Sequence, residues 1–107
     1  MLNQESITSL LIGLARGVSE GKHTPRQLSA AGIGEIYEYT VAGQNTIKVN
    51  APSRSIKIFT QLGDLIAEGY ISEDKALDAL LTETRRVVHK SNEIVDAIIQ
   101  SLQVNND

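Results

Sequence analysis

The sequence predicts a mainly helical α+β fold in a single domain, and three observations lead to this prediction. The first is a long apolar stripe, with residues spaced four and three apart, in the last third of the chain. The second is a one-faced helical pattern near the N-terminus, and the third is a segment between them that is dominated by Tyr, Thr, Val and Ile. A chain of 107 residues with 41% hydrophobic residues is long enough to bury one core.

The N-terminal pattern predicts an amphipathic helix of about four turns, with Asn3 as its N-cap. Its apolar face consists of Ile7, Leu10, Leu11, Leu14, Ala15 and Val18. Further on, Thr24 and Pro25 have the features of a helix start, and Gly32 has those of a helix stop. These signals predict a short second helix from Pro25 to Ala31.

Residues 35–49 fit two secondary structures. In a β-hairpin, Tyr37, Tyr39 and Val41 share one strand face, and residues 42–45 form the turn. A helix also fits, with an apolar face at Ile33, Ile36, Tyr37, Thr40 and Val41. The hairpin is preferred because β-branched and aromatic residues dominate the segment and its turn residues lie between two apolar runs.

From residue 53 onwards the pattern predicts a helical hairpin. Ser53 is the N-cap of a helix whose apolar face consists of Ile58, Phe59, Leu62, Leu65 and Ile66 and which Gly69 ends. Ser72 caps the long C-terminal helix, and the short connection predicts that the two helices are antiparallel. The single domain, 1–107, thus divides into a helix and β-hairpin part over 1–52, a helical hairpin over 53–103 and a frayed tail over 104–107.

The stripe of the C-terminal helix is too long for the rest of the protein. Its seam consists of Leu77, Leu81, Thr84, Val88, Ser91, Val95, Ile98 and Leu102, and Leu80, Val87 and Ile94 widen it. The seam spans ~38 Å, whereas a compact domain of this length has a diameter of about 34 Å. We therefore expect an oligomer interface at Val88, Ser91, Val95, Ile98 and Leu102, in a homodimer or a larger assembly. In the alternative, the helix breaks near residues 90–92 and packs within one chain.

Composition and motifs exclude most catalytic chemistry. The chain has no Cys, and its two His residues, His23 and His89, are far apart in sequence, so we expect no metal site and no cofactor. The segment from Gly17 to Thr24 lacks the spacing of a phosphate-binding loop, and no nucleophile motif is present. The sequence therefore predicts a protein that is not an enzyme.

Three groups of residues are candidates for binding. Arg85, Arg86, His89 and Lys90 form a basic cluster that fits a protein partner or an anion, although acidic neighbours also fit a solvated face. Lys22, close to the helix start at Thr24, is a candidate for a small anion. Tyr37 and Tyr39 are candidates for lining a ligand pocket between subunits.

The leading hypothesis is a small acidic, non-enzymatic protein-interaction module that binds itself and an unidentified protein partner. By analogy of size and charge alone, inhibitors or accessory proteins of phages and plasmids have this character. One alternative is a dimeric DNA-binding regulator: residues 27–33 resemble the first helix and turn of a helix-turn-helix. The following segment, however, carries Glu35 and Glu38 and no Lys or Arg. The other alternative is an oligomeric protein that binds a small ligand or nucleotide.

Charge and apolar patterning also restrict the partners and the location. The net charge of −3 argues against nucleic acid as a partner. We expect a cytoplasmic protein with no membrane association, because no apolar run is long enough for a signal peptide or a membrane span.

Overall fold

The structure is a computed structural model that describes residues 1–29 and 34–104. Within these residues, a five-stranded antiparallel sheet is preceded in sequence by one α-helix and followed by another. The strands lie in the sheet in the order in which they occur along the chain. The elements are α1 (Gln4–Ser19), β1 (Pro25–Gln27), β2 (Ile36–Val41), a 3-10 turn (Ala42–Gln44), β3 (Asn45–Asn50), β4 (Ser55–Phe59), β5 (Leu65–Tyr70) and α2 (Asp74–Val104).

Both helices contribute to one core on a single face of the sheet. Alternate residues of the central strands point to this face, as the two-residue period of a strand requires. The core side chains are Tyr37, Tyr39, Ile47, Val49 and Ile56 from the sheet, Ile7, Leu11, Leu14 and Val18 from α1, Ile71, and Ala76, Leu77, Leu80 and Leu81 from α2. Only the first half of α2 takes part in this core.

The prediction of a mainly helical fold with an antiparallel helix pair was wrong. Residues 55–59 and 65–70 form strands β4 and β5, so the molecule contains a sheet where a helical hairpin was expected. In β4, Ile56 is buried while its neighbour Lys57 is exposed, which is the alternation of a strand. Two strands of apolar residues separated by a turn had produced an apparent helical spacing.

Gly69 shows why the sequence signals misled at this point. It lies within β5, where a Cβ atom would come 2.6 Å from Cδ1 of Ile7 in α1. A side chain here would displace Ile7, so glycine allows this close packing of helix on strand, and it does not end a helix. The turn that separates β4 from β5 is closed by a hydrogen bond from the Gly63 amide to the Thr60 carbonyl, 2.9 Å long.

The predicted short helix from Pro25 is also wrong where the structure describes it. Pro25–Gln27 is an edge strand that pairs with β2, with Pro25 opposite Tyr39. Proline is tolerated at an edge because its missing amide is not needed by a further strand. Residues 30 and 31 of that predicted helix, together with its stop at Gly32, lie outside the described residues, as do tail residues 105–107.

The predicted N-terminal helix and the preferred hairpin are both present. Asn3 caps α1 by accepting a hydrogen bond from the Ser6 amide at 2.8 Å. Strands β2 and β3 form the preferred hairpin, with Tyr37 opposite Val49. Gly43 and Gln44 in its turn both have positive φ, which is the conformation of a tight hairpin turn.

Helix α2 is continuous through Ser91, so the alternative of a break near residues 90–92 was wrong. Its 31 residues span about 46 Å. The molecule as a whole measures 57 × 30 × 27 Å, because the end of α2 extends beyond the sheet and α1. Neither helix in the described part of the chain is long and apolar enough to cross a lipid bilayer.

Candidate interaction surface

The second half of α2 extends beyond the body of the domain. Val87 and Val88 are the last of its residues to pack against the core. From His89 to Gln103, which we call the distal half of α2, every residue is exposed. Five large apolar side chains of the distal half are 46–58% exposed. These five form the distal stripe: Ile94, Val95, Ile98, Ile99 and Leu102.

The distal stripe lies on the same side of the helix as the buried residues of the first half. Val95, Ile98 and Leu102 continue the four-and-three spacing of Leu77, Leu81 and Thr84, which face the core. On one continuous helix, this spacing keeps all of these positions in a line along one side. The side of α2 that α1 and the sheet cover in the first half is therefore exposed to solvent in the distal half.

No charged residue interrupts the distal stripe. Glu93 and Asp96 are the only charged residues between positions 91 and 104, and helical spacing places both outside the stripe. The carboxylate of Glu93 lies 3.1 Å from Nε2 of His89, one turn earlier on the same exposed side. The surface is thus an apolar strip bordered by polar side chains.

The predicted interface residues take different positions. Val88 is half-buried at the edge of the domain, and Ser91 is exposed within the line of the stripe. Val95, Ile98 and Leu102 belong to the distal stripe itself. Ile99 was not predicted to belong to this surface. Its position four residues after Val95 is the signal that would have placed it on the same side of the helix.

The residues of the basic cluster lie on α2, and several of them pair within the chain. Arg85 binds Glu35 through two hydrogen bonds, of which the one from Nε to Oε2 is 2.8 Å long. Hydrogen bonding from Arg85 holds the pKa of Glu35 below its usual value. Arg86 lies 3.2 Å from Glu83, and Lys90 is exposed. Lys22, in the loop after α1, pairs with Glu20.

The two tyrosines proposed for a ligand pocket lie in the core. The hydroxyl of Tyr39 is 2.7 Å from Oγ1 of Thr84, the one buried polar residue found on the core side of α2 in the described structure. The hydroxyl of Tyr37 donates to Glu35 at 2.8 Å. Burial, with a smaller contribution from Glu35, raises the pKa of Tyr37 to about 12. Tyr39 thus connects the sheet to α2 directly, and Tyr37 binds Glu35, the partner of Arg85 on α2.

A shallow groove lies beside α1, and none of its described lining residues belongs to α2. It is open to solvent, has a volume of about 780 Å³, and includes Leu10, Gly13, His23, Val41 and Ile47 in its lining. Leu14 and polar residues from the first half of α1 and its cap form the rest of its wall. Neither Tyr37 nor Tyr39 lines it.

The segment considered as a DNA-reading helix is a strand. Residues 36–41, which follow the resemblance to a helix-turn-helix, form β2 in the interior of the sheet. A strand hydrogen-bonded on both sides is not a helix that enters a major groove. Among residues 1–29 and 34–104, no three His, Asp or Glu residues come together in a way that could hold a metal ion.

Comparison with protein-family models, with curated proteins and with solved structures finds no match to this chain.

Proposed function

We propose that the protein is a non-enzymatic protein-interaction module that self-associates through the distal half of α2. The observation that supports this proposal is the distal stripe. It consists of five large apolar side chains on the part of α2 that extends beyond the body of the domain. Exposed apolar patches of this kind, bordered by polar residues, are typical of protein interaction sites.

A covering partner would stabilise the distal half as a helix. The packed first half of α2 nucleates it, but most of the stability of a helix in a protein comes from tertiary packing of its apolar face. Four of the five stripe residues, Ile94, Val95, Ile98 and Ile99, are β-branched and lose side-chain freedom in a helix. Packing against another surface would offset this cost, and no segment of the described chain supplies that surface.

The stripe is large enough to support a dimer of moderate affinity. Full burial of a Val, Leu or Ile side chain contributes ~1.5–3 kcal/mol, and about half of that remains to be gained at each stripe position. Two copies would gain roughly 8–15 kcal/mol, against about 4–15 kcal/mol for association. Within these ranges, a margin of about 4–8 kcal/mol corresponds to dissociation constants from about millimolar to micromolar.

A second copy of the chain is the partner that fits this surface most directly. The distal stripe is uncharged and apolar along its whole length, so it is complementary to an identical stripe. Soluble oligomers are mostly homo-oligomers with two-fold symmetry. With this function we also propose the cytoplasmic location that the sequence predicts; the further protein partner stays a prediction.

Analytical ultracentrifugation of wild type and two matched variants tests the proposal. Val95→Asp places a charge in the stripe, and Gln100→Asp places the same charge on the opposite side of the helix. We expect the wild type and Gln100→Asp to dimerise over about 1–1,000 µM and Val95→Asp to stay monomeric. A monomeric wild type over that range, or a Val95→Asp variant that dimerises like the control, would contradict the proposal.

A further inference from the structure

We infer that the two distal halves pair in antiparallel orientation, with the two domain bodies at opposite ends of the dimer. The inference rests on the proposed self-association and adds the relative direction and the register of the two helices. It follows from two observations: the distal stripe continues the buried side of α2 without a break, and the exposed segment begins where the domain ends.

A parallel pair of these helices is sterically blocked. A partner helix seated on the distal stripe lies on the side of α2 that faces α1 and the sheet in the first half. If it ran parallel and in register, its own first half would continue into the space that α1 and the sheet occupy. Packed helices lie ~8–10 Å apart, which leaves no room for both.

An antiparallel pair avoids this overlap, because each partner helix approaches from the free C-terminal end. The best register places Val95 opposite Ile98 of the partner subunit and Ser91 opposite Leu102 of the partner subunit. The C-terminal end of each helix then reaches the level at which the partner's domain begins. The whole exposed segment of both copies is used.

The orientation determines the overall shape of the dimer. Two protomers, each 57 Å long, overlap by about 22 Å of helix and form a particle roughly 90 Å long. A parallel dimer would be little longer than one protomer. Small-angle X-ray scattering at a concentration where the dimer predominates distinguishes the two, and we expect a maximum dimension near ~90 Å.

Disulfide cross-linking tests the register, and the absence of Cys from the chain makes each introduced thiol unique. We expect an oxidised mixture of Ser91→Cys and Leu102→Cys to form a mixed disulfide dimer. Ser91→Cys alone would stay unlinked. In this register the two Ser91 positions are about 16 Å apart along the helix axis, whereas a disulfide requires Cα atoms less than ~7 Å apart. Gln100→Cys, on the opposite side of the helix, is the control. It would remain unlinked when it is mixed with either Ser91→Cys or Leu102→Cys.

The possible outcomes separate this inference from the function on which it rests. Efficient self-linking of Ser91→Cys in a dimer about as long as one protomer would overturn the antiparallel arrangement and leave self-association intact. A wild-type protein that remains monomeric by ultracentrifugation would overturn both. Mixed linking together with the extended shape is the result that supports the antiparallel arrangement.

Discussion

The two halves of α2 have the same apolar pattern and opposite surroundings. In the first half, Leu77, Leu80 and Leu81 are buried against α1 and the sheet. In the distal half, Val95, Ile98 and Leu102 continue the spacing and are more than half exposed. The comparison shows that an apolar stripe predicts that a helix needs a covering surface, whereas the rest of the fold determines whether the same chain provides it.

The largest expected effect is on the free energy of unfolding, to which the two halves of α2 should contribute very differently. Leu80→Ala should lower the free energy of unfolding by about 2–5 kcal/mol, because Leu80 is fully buried and a cavity remains. Ile98→Ala, measured by urea denaturation at a protein concentration where the monomer predominates, should change it by less than about 1 kcal/mol. Equal losses in the two variants would mean that the distal half packs within its own domain.

This comparison also explains what the sequence could predict. The stripe of α2 and the cap of α1 depend on local spacing, so both elements were predicted close to their observed positions. Strands β4 and β5 were not, because Ile58, Leu62 and Ile66 have helical spacing by coincidence. Only the pairing of β4 with β3, and of β5 with β4, makes these segments strands. Gly69 was misassigned for the same reason: its neighbour Ile7 is distant in sequence.

The candidate surface was predictable in part. The overhang followed from comparing the length of the seam with the expected diameter of the domain, and four of the five residues of the distal stripe were recognised. The burial of Tyr37 and Tyr39 was not foreseen. It depends on the sheet being covered by α2, and their partners Glu35 and Thr84 include one contact 45 residues away in sequence.

The polar positions in the two halves give the second largest effect. Thr84 and Ser91 occupy equivalent places in the seam, but only Thr84 is buried, with the Tyr39 hydroxyl as its partner. Thr84→Val should lower the free energy of unfolding by about 1–3 kcal/mol, because the buried Tyr39 hydroxyl loses its hydrogen bond. Ser91→Val should leave monomer stability nearly unchanged and strengthen the dimer.

A double-variant cycle isolates that buried hydrogen bond. Tyr39→Phe combined with Thr84→Val removes both partners, so the loss should be smaller than the sum of the two single losses. Urea denaturation measures the stabilities, and ultracentrifugation measures the effect of Ser91→Val. Additive losses at Tyr39 and Thr84, or a weaker dimer with Ser91→Val, would show that these positions do not differ as the structure indicates.

The smallest expected effect compares the Arg85–Glu35 ion pair at the domain with the Glu93–His89 contact in the distal half of α2. Glu35 is bound by Arg85 and largely shielded, whereas Glu93 and His89 are both exposed. Because Arg85 lowers the pKa of Glu35 in the folded protein, the pair stabilises the fold at neutral pH. This contribution is lost as the pH falls below the ordinary carboxyl pKa of 4.5 and through the lowered value.

The expected contribution is less than about 1 kcal/mol, since Arg85 is more than half exposed and solvent screens the pair. Glu35→Gln should therefore reduce the loss of stability between neutral pH and pH ~3, measured by urea denaturation. Glu93→Gln should leave the acid dependence of monomer stability unchanged, because its helix end contributes nothing to the core. The opposite result would be a smaller loss of stability at acid pH in Glu93→Gln but not in Glu35→Gln. The distal half would then be part of the cooperative fold, and its stripe would not be free for a second copy.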